Sequence, residues 1–248
     1  MKEGCGRCLN REEIKCIALC TMLLSHAAVV FLKAPAWLYT CCVDLGYFTM
    51  LALCYFLVEG YRHTGSVKAY GGRLLVFAIL SEVPFRLAFP GREVLGMHEL
   101  NAMWTIFLCF LLILVMDRQR NEAYRVCMVL GIIFASSVCD WGVLAPLFTL
   151  FFVRAGGRWE RERKAFLLSV GLFGAHGFLD RLGGTALAEN LLQTGMSMAG
   201  MGLAAVCILH FYNGKRARRG RTFFKWFFYL FYPAHLLVLG ILRLAGEM

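Results

Sequence analysis

The chain has 248 residues, 59% of them hydrophobic and only 17% charged, with a formal net charge of +10 and a mean hydropathy of +0.63. That apolar content exceeds the range of soluble domains and excludes a large water-soluble domain. The Lys and Arg residues sit in short breaks between apolar runs rather than on one face of a folded module, which argues against a nucleic-acid partner.

The first apolar run, Ile14–Leu32, follows a polar tail over residues 1–13 and has no small-residue cleavage site, so it reads as a retained membrane helix. It carries Lys15 and His26. At helical geometry the two share a face and lie about 16 Å apart, the cation at one membrane surface and the imidazole toward the middle. An ionisable ring at such depth is a functional-site hypothesis by default. The second run, Leu38–Val58, places Asp44 a few residues inside its start and is followed by Glu59, Gly60, Tyr61 and Arg62. The third, Leu74–Phe89, holds Glu82 and Arg86 one helical turn apart, and Met103–Met116 is the fourth. The fifth and sixth, Val126–Val138 and Val143–Val153, fall short of the ~20 residues that cross a bilayer upright and read as a re-entrant hairpin around Cys139, Asp140, Trp141 and Gly142. Ala165–Leu179 and Gly195–Tyr212 follow; the small residues from Gly195 to Gly202 predict close helix packing. The ninth, Phe223–Leu244, contains Pro233 and His235. The expectation is an all-α polytopic membrane bundle of about nine spans forming a single domain over 1–248.

Cytoplasmic loops accumulate basic residues. Under a nine-span layout one side receives Lys2, Arg7, Arg11 and Lys15, then Arg62, Lys68 and Arg73, Arg118, Arg120 and Arg125, Arg154 to Lys164, and Lys215 to Lys225. The other receives Lys33, Arg86, Arg92, Arg181 and Arg243. This predicts a cell-membrane protein with its N-terminus cytoplasmic and its C-terminus outside.

Depth then groups His26, Asp44, Glu82, Arg86, Asp140 and His235 in the outer half or middle of the bilayer, where ionisable groups are too costly to face lipid and should converge on a polar interior. Blander alternatives apply: Asp44 and Arg86 as interfacial groups with access to water, Glu82 and Arg86 as a structural i,i+4 ion pair, and His235 bonded to a carbonyl freed by the Pro233 kink. The segment His98, Glu99, Leu100, Asn101, Ala102 begins like a zinc-protease motif but lacks the second histidine, and the Cys5–Cys8 pair has no second pair, so no metal is expected. Cys41, Cys42 and Cys139 fall near the outer face.

Four blocks carry a family resemblance: IKCIALCTMLLSH from Ile14, FLVEGYRHTGSVKAY from Phe56, LLVFAILSEVPFRLAF from Leu74 and YNGKRARRGRTFFKWFFYLFYPAHLLVL from Tyr212. The chain resembles the TraX family nearly end to end. That family is named for a conjugation protein that N-acetylates pilin, and it is similar to the type 3 acyltransferase superfamily, whose basic residue, ten intervening positions and histidine match Lys15 and His26. The resemblance implies transfer of an acyl group, foremost acetyl from cytoplasmic acetyl-CoA, to a hydroxyl or amine of an acceptor peptide, glycan or lipid at the outer side of the membrane. TraX-like sequences usually place an aspartate just before the histidine, where this chain has Ser25. A nearby carboxylate would hold the imidazole's tautomer, and Asp44 is the expected substitute. The expected catalytic set is therefore His26, Asp44 and Glu82. Lys15, Arg62, Asn213, Lys215 and Arg216 are expected to bind the acetyl-CoA phosphates, and Glu59, Arg86, Asp140 and His235 the acceptor. A secondary transporter, which also buries ionisable groups in broken helices, and a non-catalytic assembly factor are the alternatives.

Overall fold

A computed structural model describes residues 7–32, 35–94 and 96–247. Lys2, Cys5 and Lys33 lie outside the described residues. Each of the nine apolar runs is helical, in the order α1 (Arg11–Phe31), α2 (Ala36–Arg62), α3 (Val67–Leu80), α4 (Glu82–Ala88), α5 (Ala102–Arg118), α6 (Glu122–Ser136), α7 (Leu144–Ala155), α8 (Trp159–Asp180), α9 (Leu187–Val206) and α10 (Arg221–Glu247). A two-residue hairpin, β1 (Glu93–Val94) and β2 (Met97–His98), lies between α4 and α5, and a π-helical turn, Cys207–Phe211, continues α9.

Among the described residues four helices are long and apolar enough to cross a membrane: α1, α2, α9 with its π turn, and α10. The remaining runs form shorter or more polar helices. The third divides at Ser81, whose hydroxyl donates to the Phe77 carbonyl 2.6 Å away, so that α3 ends and α4 begins. The seventh starts six residues earlier than its apolar run, at Trp159, with the charged turns Glu160 to Lys164 in the helix. With 15 and 12 residues, α6 and α7 reach only about 22 and 18 Å at helical rise. Large apolar side chains face outward along α6, α8, α9 and α10, among them Phe134, Leu167, Leu192 and Val238. Contiguous exposed apolar faces of this kind mark a membrane protein.

Local chemistry explains the helix ends. Asn10 caps α1, accepting from the amides of Glu12 and Glu13 at 3.0 Å, while Glu13 Oε2 accepts from the Asn10 amide at 2.7 Å. This is a reciprocal capping box. Ser66, Asn101 and Asn121 cap α3, α5 and α6 more simply, each side chain accepting from one amide of the first turn. Gly156 ends α7 in the left-handed conformation at φ 67°, which a side chain would disfavour.

The chain divides into two compact units. The first comprises residues 1–53 and 158–224, with α1, the first part of α2, α8, α9 and the π turn. In it, α1 and α2 meet at small residues: a Cβ on Gly46 would lie 2.4 Å from the Ser25 Cβ. Thr49 Oγ1 donates to the Ala18 carbonyl at 2.7 Å across the same contact. Gly200 of α9 presses on the α2 backbone at Asp44, and Gly174 of α8 faces Met198 of α9. The packing expected for the Gly195–Gly202 run is thus met at Gly200, whereas Gly195 and Gly202 face open space.

The second unit comprises residues 54–157 and 225–248. It holds the end of α2, α3 to α7, the hairpin and nearly all of α10. Its core includes Phe56, Phe85, Phe110, Leu112 and Phe148, all nearly inaccessible. Two extended segments cross at one end: the Leu100 amide donates to the Val138 carbonyl at 2.9 Å and the Asp140 amide to the Leu100 carbonyl at 2.8 Å.

Candidate functional site

The predicted polar residues divide between the units. His26, Asp44, Lys15, Asn213, Lys215 and Arg216 fall in the first, and Glu59, Arg62, Glu82, Arg86, Asp140 and His235 in the second.

In the first unit, residues 9–15 meet the segment after the π turn. Leu9 pairs with Tyr212 in a parallel bridge; the Leu9 amide donates to the Phe211 carbonyl at 3.0 Å, the Asn213 amide to the Leu9 carbonyl at 2.9 Å and the Arg11 amide to the Lys215 carbonyl at 3.0 Å. Glu12 Oε2 accepts from the Ala217 amide at 2.6 Å. Asn213 Oδ1 accepts from the Lys215 amide at 2.8 Å and, with Gly214 at φ 72°, turns the chain so that Lys215 and Arg216 stand exposed. The first turns of the helix bearing Lys15 and His26 are thereby tied to the most basic run in the chain. Lys15 and His26 are both half-buried. His26 is absent from the buried face of α1, which is formed by Ile14, Ala18, Leu19, Met22 and Ala28.

Asp44 is buried, and its Oδ1 accepts from Ser197 Oγ of α9 at 2.9 Å. Its Oδ2 is also buried and has no hydrogen-bond partner among the described residues. Asp44 and Gly46 are two positions apart, about 200° around the helix, so the carboxylate is turned to α9 while Gly46 meets Ser25. The expected substitute for the missing aspartate therefore lies on the α9-facing side of α2. Arg181 belongs to the same polar group: its Nη1 donates to the Gly177 carbonyl at 3.0 Å and to Thr194 Oγ1 at 3.3 Å, and Thr194 in turn donates to Asn190 Oδ1 at 3.2 Å. Ser197, Arg181, Thr194 and Asn190 were not among the sequence candidates; the crossing of α2 and α9 brings Ser197 to Asp44.

The second unit builds a denser cluster around the α4–α5 connection. Glu82 uses both oxygens: Oε1 pairs with Arg86 Nε at 3.0 Å and Oε2 accepts from Asn101 Nδ2 at 2.7 Å. The i,i+4 pair expected from spacing forms, with Asn101 as a third member. Asn101 is fully buried, donates also to the Ala78 carbonyl at 2.9 Å and caps α5. Beside it, Arg92 Nε pairs with Glu99 at 3.2 Å and Arg92 Nη1 with Asp140 at 3.8 Å, and the guanidinium lies over the Phe85 and Phe89 rings. Thr105 Oγ1 donates to the Asp140 carbonyl, and Tyr232 accepts from the Ala102 amide at 3.2 Å. The zinc-protease-like segment is no helix: His98 ends β2, Glu99 is extended and Ala102 begins α5.

Burial pushes the Glu99 carboxyl up and the Asp140 charge adds to this, against the pull of Arg92. Asp140 is likewise pushed up by burial, against Arg92 and the Trp141 amide. Cys139 is pushed up to about 11, by burial first and against a Thr105 hydrogen bond, which keeps this buried thiol protonated and inert. Trp141, next to Asp140, adopts φ 63°, a left-handed conformation costing about 1–2 kcal/mol for a side-chain-bearing residue. Local strain of this kind is held only where the surroundings over-determine it.

The raised carboxyls carry a pH prediction. A carboxyl whose folded value lies above its unfolded one supports the fold below the unfolded value and loses that support as pH rises through the folded value. Stability should therefore fall with rising pH across the acid range, and Asp140→Asn should flatten the slope without lowering stability at pH 7, as read by thermal unfolding in detergent. A large loss at pH 7 would instead make the ionised Arg92–Asp140 pair the dominant interaction.

His235 is buried; its Nδ1–H donates to the Phe231 carbonyl at 2.9 Å and its ring stacks on Phe231 at 5.1 Å. The carbonyl is one turn back on its own helix, rather than that of Tyr229, whose partner Pro233 removes. Arg62 Nη2 donates to the Phe152 carbonyl at 3.3 Å, and Glu59 is half-buried with its carbonyl accepting from His63 Nδ1 at 2.8 Å. Among the described residues no group of His, Cys, Asp and Glu is placed to hold a metal ion.

A protein-family model described as TraX protein matches residues 10–243. The chain is 30% identical, over 240 residues covering 92% of it and 93% of the relative, to a probable fimbrial assembly protein FimC, serogroup H1, of Dichelobacter nodosus. No solved structure matches.

Proposed function

The chain belongs to the TraX family, and from that premise we propose that it is a membrane-embedded acyltransferase moving an acetyl group from cytoplasmic acetyl-CoA to a hydroxyl or amine acceptor at the outer side of the membrane. The carrying observation is the bridge between residues 9–11 and 211–215, which ties the basic run at Lys215 to the first turns of the helix bearing Lys15 and His26. Lys15, Lys215 and Arg216, all in the first unit, supply cations for the donor's phosphates. The pantetheine arm runs from that end toward His26. His26 takes the proton of the acceptor as its oxygen or nitrogen bonds to the thioester carbon. The carbon–sulfur bond then breaks, and the proton passes to the departing thiolate to give free CoA thiol. Nine crossings, with the N-terminus inside and the C-terminus outside, complete this reading.

The direct test is purified protein in detergent with acetyl-CoA, followed by thiol release and by acetylation of added acceptor. Lys215→Gln/Arg216→Gln should raise the acetyl-CoA dissociation constant about tenfold or more, at roughly 1.5–3 kcal/mol for hydrogen bonds to charged groups, while acceptor binding is unchanged. Equal loss of both would point to misfolding. A second reading, a non-catalytic assembly factor of surface fibres, is favoured by the description of the Dichelobacter relative; it predicts no thiol release with any acceptor.

A further inference from the structure

The basic run after Asn213 holds more cations than the donor site uses. Arg218, Arg219 and Arg221 follow Arg216 within five positions and are all exposed. Arg218 and Arg219 have no side-chain partner among the described residues. Arg221 spends only its Nε, on the Ala217 carbonyl at 3.0 Å. The backbone beneath them is pinned, since the Ala217 amide is held by Glu12. Arg221 begins α10, a helix long and apolar enough to cross a membrane. Phe223, Trp226 and Leu230, at i, i+3 and i+7, are 65%, 44% and 54% exposed, and the apolar stripe continues through Ile241. Lys225 Nζ stands over the Trp226 ring at 5.4 Å. A tryptophan beside cations at the start of a span belongs at the headgroup level of a bilayer.

We propose that Arg218, Arg219 and Arg221 bind the phosphates of anionic phospholipid headgroups where α10 enters the membrane. Guanidinium forks match phosphate oxygens two at a time, and a juxtamembrane basic cluster gains attraction to an anionic leaflet with each charge. Membrane lipid is the occupant because α10, which starts at Arg221 just after Arg218 and Arg219, presents an exposed apolar face from its first turns, which a soluble phosphate would leave uncovered. The assignment is independent of acyl transfer and leaves Lys215 and Arg216 untouched.

The test titrates the full chain, purified in detergent, with dioleoylphosphatidylglycerol and separately with dioleoylphosphatidylcholine, counting bound lipid by native mass spectrometry. The wild type should prefer the anionic lipid by at least roughly tenfold, and R218Q/R219Q/R221Q should erase the preference, while R218K/R219K/R221K keeps most of it. Equal binding of the two lipids by the wild type, or an unchanged preference in the glutamine variant, would overturn the proposal. Millimolar inorganic phosphate that abolishes the preference would also overturn it, in favour of a free-phosphate site; persistence of the preference supports the lipid. Should the glutamine variant fail to fold, the wild type decides alone: the preference should shrink with added salt, and a preference unaltered at 1 M salt defeats the assignment. Thiol release from acetyl-CoA, measured on the same variant, keeps failure here separate from failure of the acyltransferase reading.

Discussion

Replacing His26 by alanine should lower acetyl-CoA-dependent transfer by about 10²–10⁴-fold, the usual contribution of a positioned general base, with membrane insertion and thermal unfolding unchanged. The structural side of this expectation comes from the face His26 occupies. The core of α1 is made by Ile14, Ala18, Leu19, Met22 and Ala28, while His26 is only half-buried, so truncation opens no core cavity. His26→Gln is the sharper companion, because it keeps a hydrogen-bonding side chain of similar size and removes only the ability to take a proton near neutral pH. Thiol release and acceptor acetylation should fall together in both variants while acetyl-CoA still binds. Wild-type transfer in either variant would remove His26 from the mechanism, and loss of folding in His26→Gln would turn it into a structural residue.

The largest stability effect is expected at Gly200. A Cβ there would sit 1.8 Å from the Asp44 carbonyl oxygen and 2.6 Å from its carbon. Both are backbone atoms of a long helix and cannot rotate away, so α2 and α9 must part, and the Ser197–Asp44 hydrogen bond across the same crossing is lost with the contact. Overpacking typically costs about 1–3 kcal/mol, and the backbone clash puts Gly200→Ala at the upper end. Gly202→Ala is the internal control: the position meets nothing within 4 Å, and a helical Gly→Ala change in open space gains up to about 1 kcal/mol. Thermal unfolding of the two variants in one detergent should therefore move in opposite directions. Similar melting of both would mean that the helices do not approach this closely.

On the other side of α2, the contact with α1 falls at Ser25. TraX-like chains usually place an aspartate there, and here the serine abuts Gly46, where a Cβ would collide with it. Asp44, the substitute expected from sequence, lies around the opposite side of α2, where it is bonded to Ser197. Spacing made the Glu82–Arg86 pair legible, because residues four apart on one helix must be neighbours. Its third member, Asn101, is nineteen positions away and could be read only as a candidate cap for the apolar run that follows. The pairing of Arg92 with Glu99 and Asp140 was illegible for a related reason: it depends on a two-residue hairpin and on Leu100 lying beside Cys139.

Amino-acid order alone determined that this is a helical membrane chain, where its apolar helices fall and which ionisable groups interrupt them, because helical hydrogen bonds close within four residues and an apolar run has no other way to satisfy its backbone in lipid. It also carried the family, through motifs whose residues are contiguous. Only the tertiary structure decided that Asp44 is bonded to Ser197 of α9, that Asn101 joins the Glu82–Arg86 pair, and that the basic run at Lys215 is tied to the start of α1. These outcomes rest on contacts between segments far apart in the chain, and what selects among such contacts is helix approach and loop closure, neither of which leaves a local pattern in the sequence.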